Sequence, residues 1–129
     1  MRGLLDTSVL IAGRDDPDKF ALPADVTEVA VSVVSIAELA IGVLVASDPD
    51  QQAARLQALA ALERSYDPLP VTSDVAHAYA RLVASCRQAG RNPRVMDTLI
   101  AATAVVHDCT VVTTDDDFTG LGDVPIRRL

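Results

Sequence analysis

The chain has 129 residues, half of them hydrophobic, and a formal net charge of -7. This length fits one domain, residues 1–129, and a domain of this size buries roughly two thirds of its unfolded surface, enough to support its own core. Two Phe, two Tyr and no Trp leave no base-stacking platform of the RRM or OB kind. The acidic balance also argues against a protein whose main affinity is for nucleic-acid phosphate.

Strand-like and helix-like segments alternate along the chain, which is typical of parallel βαβ units and predicts an α/β fold. Prolines on both sides of residue 69 favour an edge strand there, because proline removes donors from the strand ladder. In chain order we predict a strand at 3–5, a helix at 7–12 followed by a polar loop at 13–18, a strand at 29–33, a helix opening at Ser35, a helix at 51–64, an edge strand at 69–71, a helix at 73–88, a helix opening at Asn92-Pro93, and strands at 110–113 and 125–128.

The stretch 29–47 approaches the length of a membrane span but has Glu38 at its centre, so we predict a buried strand followed by a helix. The helix opens with Ser35-Ile36-Ala37-Glu38, a capping-box pattern. It is expected to pack antiparallel to the helix at 51–64. Asp6 interrupts the first apolar run, so no signal peptide is apparent. The two cysteines lack zinc-site spacing and suit the reduced thiols of a cytoplasmic protein.

Four acidic residues fall where such a chain turns back on itself. Asp6 and Asp115 follow strands, whereas Glu38 and Asp97 lie in the opening turns of helices. Because strand C-termini and helix N-termini lie at the same edge of a parallel sheet, we expect these carboxylates to meet. Oxygen-only ligands, without His or Cys, favour Mg²⁺ or Mn²⁺ over zinc. The sequence therefore predicts a site for a hard divalent ion at this edge.

Each acid also has a structural interpretation. Asp6 can cap the helix that follows it, and Glu38 can complete a capping box with Ser35. Asp97 interacts favourably with a helix macrodipole by roughly 0.3 to 1 kcal/mol. The acidic run at 115–117 can be a solvated turn. His77 and His107 are isolated on helices and are better explained as surface or packing residues than as general bases.

Four segments in order carry a resemblance to a known family. They are residues 4–11 (LLDTSVLI), 35–39 (SIAEL), 97–104 (DTLIAATA) and 112–118 (VTTDDDF). The chain resembles the PIN-domain ribonucleases over its whole length, and in particular the VapC-type toxins of bacterial toxin–antitoxin pairs. The resemblance implies a three-layer α/β/α fold around a parallel sheet, Mg²⁺-dependent endoribonuclease activity, a homodimer, and inhibition by a small cognate antitoxin.

The expected chemistry is hydrolysis of RNA phosphodiester bonds. Asp6, Asp97 and Asp115 are the expected ligands of Mg²⁺, for which Mn²⁺ can substitute, and Glu38 is expected to ligate the ion or orient the attacking water. The run of three aspartates leaves open whether Asp115 or Asp117 is the fourth site acid. The auxiliary residues are Thr7, Ser8, Thr113 and Asp117, and the candidate RNA contacts on loops near the site are Arg14, Arg91 and Arg94.

Other functional classes share parts of this pattern. A haloacid-dehalogenase-like phosphatase needs a second Asp two positions after the first, but position 8 is Ser. A receiver domain needs a late lysine, and none follows Lys19. A non-catalytic PIN-like module that binds metal or protein stays open, as do the RNA, the cut sequence, the number of metal ions and the antitoxin's identity.

A partner surface is a separate expectation. The helix pair from Leu39 to Leu62 can expose an Ala/Val/Leu groove for a partner helix or a second subunit. An antitoxin can also insert an Arg or Lys among the acids and so replace the cation. No contact with a membrane is expected.

Overall fold

A four-stranded parallel sheet with the order β2-β1-β3-β4 forms the centre of the protein in the computed structural model, which describes residues 1–129. The elements are β1 (Arg2–Leu5), α1 (Thr7–Asp15), β2 (Glu28–Ala30), α2 (Val33–Leu44), α3 (Pro49–Ser65), α4 (Ser73–Gln88), α5 (Val95–Val106), β3 (Thr110–Thr113) and β4 (Ile126–Arg128).

The two central strands are covered on both faces. Leu4 of β1 pairs with Val111 of β3, and both pack in the cluster that contains Ile100 of α5. The next pair in register, Leu5 and Val112, packs on the other face against α1. Successive residues of a strand point to opposite faces, so two adjacent apolar residues require helices on both sides. The predicted three-layer α/β/α architecture is confirmed.

Helices α2 and α3 form the expected antiparallel pair. Leu39 and Leu59 are buried between them. Near the turn, the Arg55 guanidinium donates to the Gly42 carbonyl at 2.7 Å, which ties α3 to the last turn of α2. Asp48 caps α3, since its carboxylate accepts from the Gln51 amide at 2.8 Å. The apolar stretch 29–47 is thus divided between β2 and α2, and no helix of this fold is long and apolar enough to cross a bilayer.

The predicted start of α2 is wrong by two residues. The helix begins at Val33, and its cap is Ser32, whose hydroxyl accepts from the Val34 amide at 3.0 Å. Ser35 therefore lies inside the helix and cannot form a capping box with Glu38. The chain leaves the sheet at Ala30, earlier than expected, because the backbone at 31–33 is hydrogen-bonded to Leu69 instead.

Three other boundaries also differ. The predicted strand at 69–71 is reduced to one bridge between Ser32 and Leu69, because the flanking prolines cannot extend the ladder. Helix α1 continues to Asp15 through Gly13, beside which the Phe20 ring packs. Helix α5 begins at Val95, with Arg94 in an extended conformation, and not at Asn92-Pro93. Both cysteines are buried free thiols.

Candidate active site

The candidate site lies where the connections from the sheet diverge. From β1 the chain moves to β2 on one side, and it later returns to β3 on the other side of β1. In open α/β sheets such a switch point, at the carboxyl ends of the strands, opens a crevice suited to ligands. Asp6 follows β1 and Thr113 ends β3, so the central strand pair brings both residues to this crevice.

Asp6 is nearly buried, and two hydroxyl groups orient its carboxylate. Its side chain is 4% exposed. The Oδ2 atom accepts hydrogen bonds from Ser8 Oγ and Thr113 Oγ1, both at 2.7 Å. Asp6 is the N-cap residue of α1 by position, but its side chain makes no capping hydrogen bond. Helix capping therefore does not explain this carboxylate, which is directed into the crevice by its hydroxyl donors.

Thr113 also connects Asp6 to the acidic run after β3. Its hydroxyl lies 3.2 Å from Asp115 Oδ1 and accepts from the Asp115 amide at the same distance. Asp115 in turn accepts a bond from the Asp117 amide at 3.1 Å. Since the Thr113 hydroxyl has one proton, the shorter bond to Asp6 is its principal donation. The run at 115–117 is thus a hydrogen-bonded turn that begins beside Asp6.

Glu38 is held by α1. Thr7 Oγ1 donates to Glu38 Oε1 at 2.7 Å and lies 3.0 Å from Ser35 Oγ. Ser35 is completely buried, and Thr7 is 8% exposed. The Glu38 carboxylate therefore faces the start of α1, next to Asp6, and does not cap its own helix. Ser35 was expected to cap α2, so its contact with Thr7 was not predicted from the sequence.

The pKa of Asp97 is affected by the charges of the other acids at the site. Its pKa is raised to about 6, first by burial and then by the negative charges of Asp117, Asp6, Glu38 and Asp115. One carboxyl group in the first turn of α5 thus experiences all the other predicted site acids. The charges of the other acids that the sequence singled out, and of the alternative fourth acid Asp117, all act on Asp97, and Asp117 acts on it more strongly than Asp115 does.

The three arginines lie in different places. Arg94 Nη1 forms an ion pair with Asp117 Oδ2 at 3.3 Å, and Arg91 Nη1 donates to the Gly120 carbonyl at 2.9 Å. Both lie beside the acidic run. Arg14 is in the last turn of α1, the opposite end of the helix from the acids, and pairs with Asp15. Its expected loop position near the site is wrong, because α1 extends through it.

The two histidines do not join the acids. His77 is exposed on α4, and His107 caps the C-terminal end of α5, whereas Asp97 lies in its first turn.

The largest concave surface is also elsewhere: a groove of about 620 Å³ contains Arg14 and Arg55. We place the candidate site at the acids, because they combine burial, hydroxyl donors and mutual charge.

The donor chemistry suits a hard cation. Asp6, Asp97 and Asp115 offer oxygen atoms alone. Burial and then repulsion from the neighbouring acids raise the Asp97 pKa, and a cation relieves that repulsion. No three His, Cys, Asp or Glu side chains are placed closely enough to hold an ion in this conformation.

Comparisons with known proteins identify the family of this chain. The PIN domain family matches residues 3–123. Ribonuclease VapC4 of Mycobacterium tuberculosis is 41% identical over 128 residues, which cover 97% of this chain and 95% of that protein.

Solved structures show the same fold. A structure of VapBC-5, a member of the VapBC family of toxin–antitoxin systems from Mycobacterium tuberculosis, has a TM-score of 0.82 and 36% identity, and the match covers 99% of this chain and 98% of that one. VapBC2 from Rickettsia felis, solved bound to a promoter DNA fragment, has a TM-score of 0.83 and 20% identity, and the match covers 99% of this chain and 98% of that one. At this identity the likeness supports the fold alone. The chain therefore belongs to the PIN domain family, and its relatives within that family are VapC proteins.

Proposed function

We propose that this protein is a divalent-metal-dependent endoribonuclease that serves as the toxin of a toxin–antitoxin pair. One observation carries the proposal: Ser8 and Thr113 orient the buried Asp6 carboxylate at 2.7 Å, and Thr7 holds Glu38 beside it at 2.7 Å. In support of this arrangement, burial and then the charges of Asp117, Asp6, Glu38 and Asp115 raise the pKa of Asp97 to about 6. Such a cluster has an electrostatic cost in a folded protein unless a cation binds to it. The names of the curated relatives, which are ribonucleases, support RNA as the substrate.

The residues that would hold the ion are Asp6, Asp97 and Asp115, with Mg²⁺ as the natural ion and Mn²⁺ as a substitute. A divalent ion bound there would lower the pKa of a water molecule and neutralise charge on the scissile phosphate. Ser8 and Thr113 fix the direction of the Asp6 carboxylate through their hydrogen bonds to Oδ2.

Glu38 is the proposed proton acceptor. Thr7 engages Oε1, which leaves Oε2 to accept a proton from the attacking water. The water oxygen bonds to phosphorus as the bond from phosphorus to the 3′ oxygen breaks, and that oxygen takes a proton from solvent. The products therefore carry 5′-phosphate and 3′-hydroxyl ends. The RNA 2′-hydroxyl takes no part.

A cognate antitoxin is the proposed protein partner, because the solved relatives are toxin–antitoxin complexes. We assign its helix to the apolar groove of about 320 Å³ between α1, α2 and α3, where Leu10, Leu39, Leu62 and Tyr66 form the wall. An antitoxin Arg or Lys that reaches the acids would replace the cation and inhibit cleavage.

We also propose a homodimer. Size-exclusion chromatography with light scattering should then give twice the mass of one chain.

The test is cleavage of end-labelled cellular RNA by purified protein with Mg²⁺, Mn²⁺ or EDTA. Asp6→Asn and Asp97→Asn should abolish cuts that require metal. Asp18→Asn is the matched control, because Asp18 is an exposed acid in a loop after α1, and it should cut like the parent. Cleavage that survives EDTA and both site substitutions would overturn the proposal. Mg²⁺ binding without any cleavage would support a non-catalytic module instead.

A further inference from the structure

A small cleft opens beside the acidic run. Its volume is about 190 Å³, and Asp117 forms one side of it. The other polar groups around it are Arg91, Asn92, Arg94 and Thr119. The chain has 18 acidic residues against 11 basic ones, so two arginines in one cleft, with an amide and a hydroxyl, form a local exception to its acidic balance.

Arg91 is fixed in this cleft by the backbone of the facing loop. Its Nη1 donates to the Gly120 carbonyl at 2.9 Å. Gly120 has a φ of +85°, and a Cβ atom at this position would lie 1.9 Å from Arg91 Nη1. The guanidinium therefore occupies space that only glycine leaves open. A guanidinium has five N–H donors, and the bond to Gly120 uses one of them, so others stay available to a ligand.

Arg94 is held only loosely. It pairs with Asp117 at 3.3 Å, but its side chain is 75% exposed and that of Asp117 is 37% exposed. Exposed ion pairs contribute little, typically 0 to about 1 kcal/mol. A phosphate diester held in the cleft, which has a single negative charge like the Asp117 carboxylate, can therefore draw Arg94 away from Asp117 at small cost.

We infer that this cleft is a phosphate subsite, in which Arg91 is the preorganised anchor and Arg94 a mobile second donor for a backbone phosphate of RNA that flanks the scissile one. The planar fork of arginine suits phosphate oxygens, and contacts of this kind position a nucleic acid without reading its sequence. The inference rests on the proposed nuclease function and deepens it. An acidic protein can then hold RNA through one local subsite, without a broad basic face.

The first experiment measures kcat and KM for a short single-stranded RNA over a series of salt concentrations. Arg91→Gln should raise KM about tenfold, the loss expected for one charged hydrogen bond, with kcat little changed. It should also reduce the salt slope of log(kcat/KM) by about 0.7, the value for one phosphate of a single strand. Arg81→Gln, which removes an exposed arginine in the middle of α4, should change neither quantity. A fall in kcat with an unchanged salt slope would overturn the inference and show that Arg91 only braces the loop.

Two glycines provide a matched pair that keeps every charge. Gly122 has a φ of +84°, like Gly120, but a Cβ atom there meets nothing within 4 Å. Alanine imposes similar backbone strain at both positions, so the difference between Gly120→Ala and Gly122→Ala isolates the displacement of Arg91. Gly120→Ala should raise KM as Arg91→Gln does, and Gly122→Ala should not. Equal KM values for the two alanine variants would count against the anchor.

Binding without cleavage separates this inference from the nuclease proposal. Fluorescence anisotropy measures the affinity of the same RNA for the Asp6→Asn protein in EDTA. Adding Arg91→Gln to this protein should weaken that affinity about tenfold. If this loss occurs although the parent does not cleave RNA, the subsite stands and the nuclease proposal fails. If the parent cleaves RNA and Arg91→Gln leaves the RNA affinity unchanged, only the subsite inference fails. Inorganic phosphate should compete with the RNA in the Arg91 protein and not in Arg91→Gln. Equal competition in both would overturn the assignment.

Discussion

Thr113 donates a hydrogen bond to Asp6 Oδ2 at 2.7 Å, across 107 positions of sequence. Both side chains are buried. The bond joins the ends of the two central strands, and it offsets the cost of placing a carboxylate where water has little access. The same threonine contacts Asp115, so one hydroxyl links the acids contributed by the two ends of the chain.

Thr113→Val should therefore reduce RNA cleavage by about 10- to 100-fold, the usual effect of removing a group that orients a metal ligand. Thr113→Ser keeps the hydroxyl and should retain most of the activity. Thr110→Val is the control, because Thr110 begins the same strand, away from the acids. Initial rates of cleavage for the three variants check this prediction. Parent-like activity in Thr113→Val would show that Asp6 needs no orienting donor from β3.

Asp97 should destabilise the metal-free protein near neutral pH. Its pKa is raised from 3.8 to about 6 in the fold, so the folded state binds the proton more tightly than the unfolded state does. The stabilising contribution is therefore present below pH 3.8 and is lost as the pH rises through about 6. Asp97→Asn in EDTA should be more stable than the parent at pH 7.5 by about 1 kcal/mol, a value reduced for solvent screening of a partly exposed group.

Urea unfolding in EDTA checks this effect. The advantage of Asp97→Asn should shrink between pH 7.5 and about 5.5, the lowest practical value for a chain whose pI is about 4.5. Asp74→Asn is a matched control, since Asp74 lies in the first turn of α4 without the acidic cluster. It should be neutral or slightly destabilising, because it loses a favourable interaction with the helix dipole. A pH-independent advantage for Asp97→Asn would contradict the electrostatic explanation.

Thr7 should affect cleavage only through Glu38, whose Oε1 it contacts at 2.7 Å. Thr7→Val should lower kcat by about tenfold or more, as expected when the orientation of a catalytic group is lost, and Thr7→Ser should restore it. A double-mutant cycle with Glu38→Gln gives the sharper result. Thr7→Val should have little further effect in the Glu38→Gln background, because coupled residues are not additive. Full additivity would mean that Thr7 acts independently of Glu38.

Ser32 and Ser35 should have separable roles. Ser32→Ala removes the cap of α2 and should cost about 1 kcal/mol of stability with little change in the rate per folded molecule. Ser35→Ala removes the neighbour of Thr7 Oγ1 and should change the cleavage rate more than Ser32→Ala does. Thermal unfolding and initial rates measured on both proteins compare the two effects. The opposite result, an unchanged stability in Ser32→Ala and a large loss of stability in Ser35→Ala, would support the capping box inferred from the sequence.

The convergence of the acids was predictable because βαβ topology leaves little freedom. Once Asp6 follows a strand and Asp97 opens a helix, both must reach the same edge of a parallel sheet. The cap of α2 was not predictable in this way. Ser32 and Ser35 are equally good cap residues, and the choice between them depends on where β2 ends, which the bridge from Ser32 to Leu69 decides. That contact joins residues distant in sequence and leaves no local pattern.

The wrong prediction for Arg14 has a similar explanation. Gly13 and the acidic residues after it indicated a loop, but the Phe20 ring packs beside Gly13, and the helix continues to Asp15. Tertiary packing thus overrode local propensity. The sequence left open whether Asp115 or Asp117 is the fourth site acid, since the fold of the turn at 115–117 determines how strongly each charge acts on Asp97.

The pairing of β1 with β3 also sets the time at which the site can exist. Translation delivers Asp6 among the first residues, but its partner Thr113 and the acids after it belong to the last fifth of the 129-residue chain. A ribosome that stalls before β3 releases a polypeptide without the central strand pair, and hence without an assembled crevice. An unfinished copy that ends before β3 therefore has no complete acidic site.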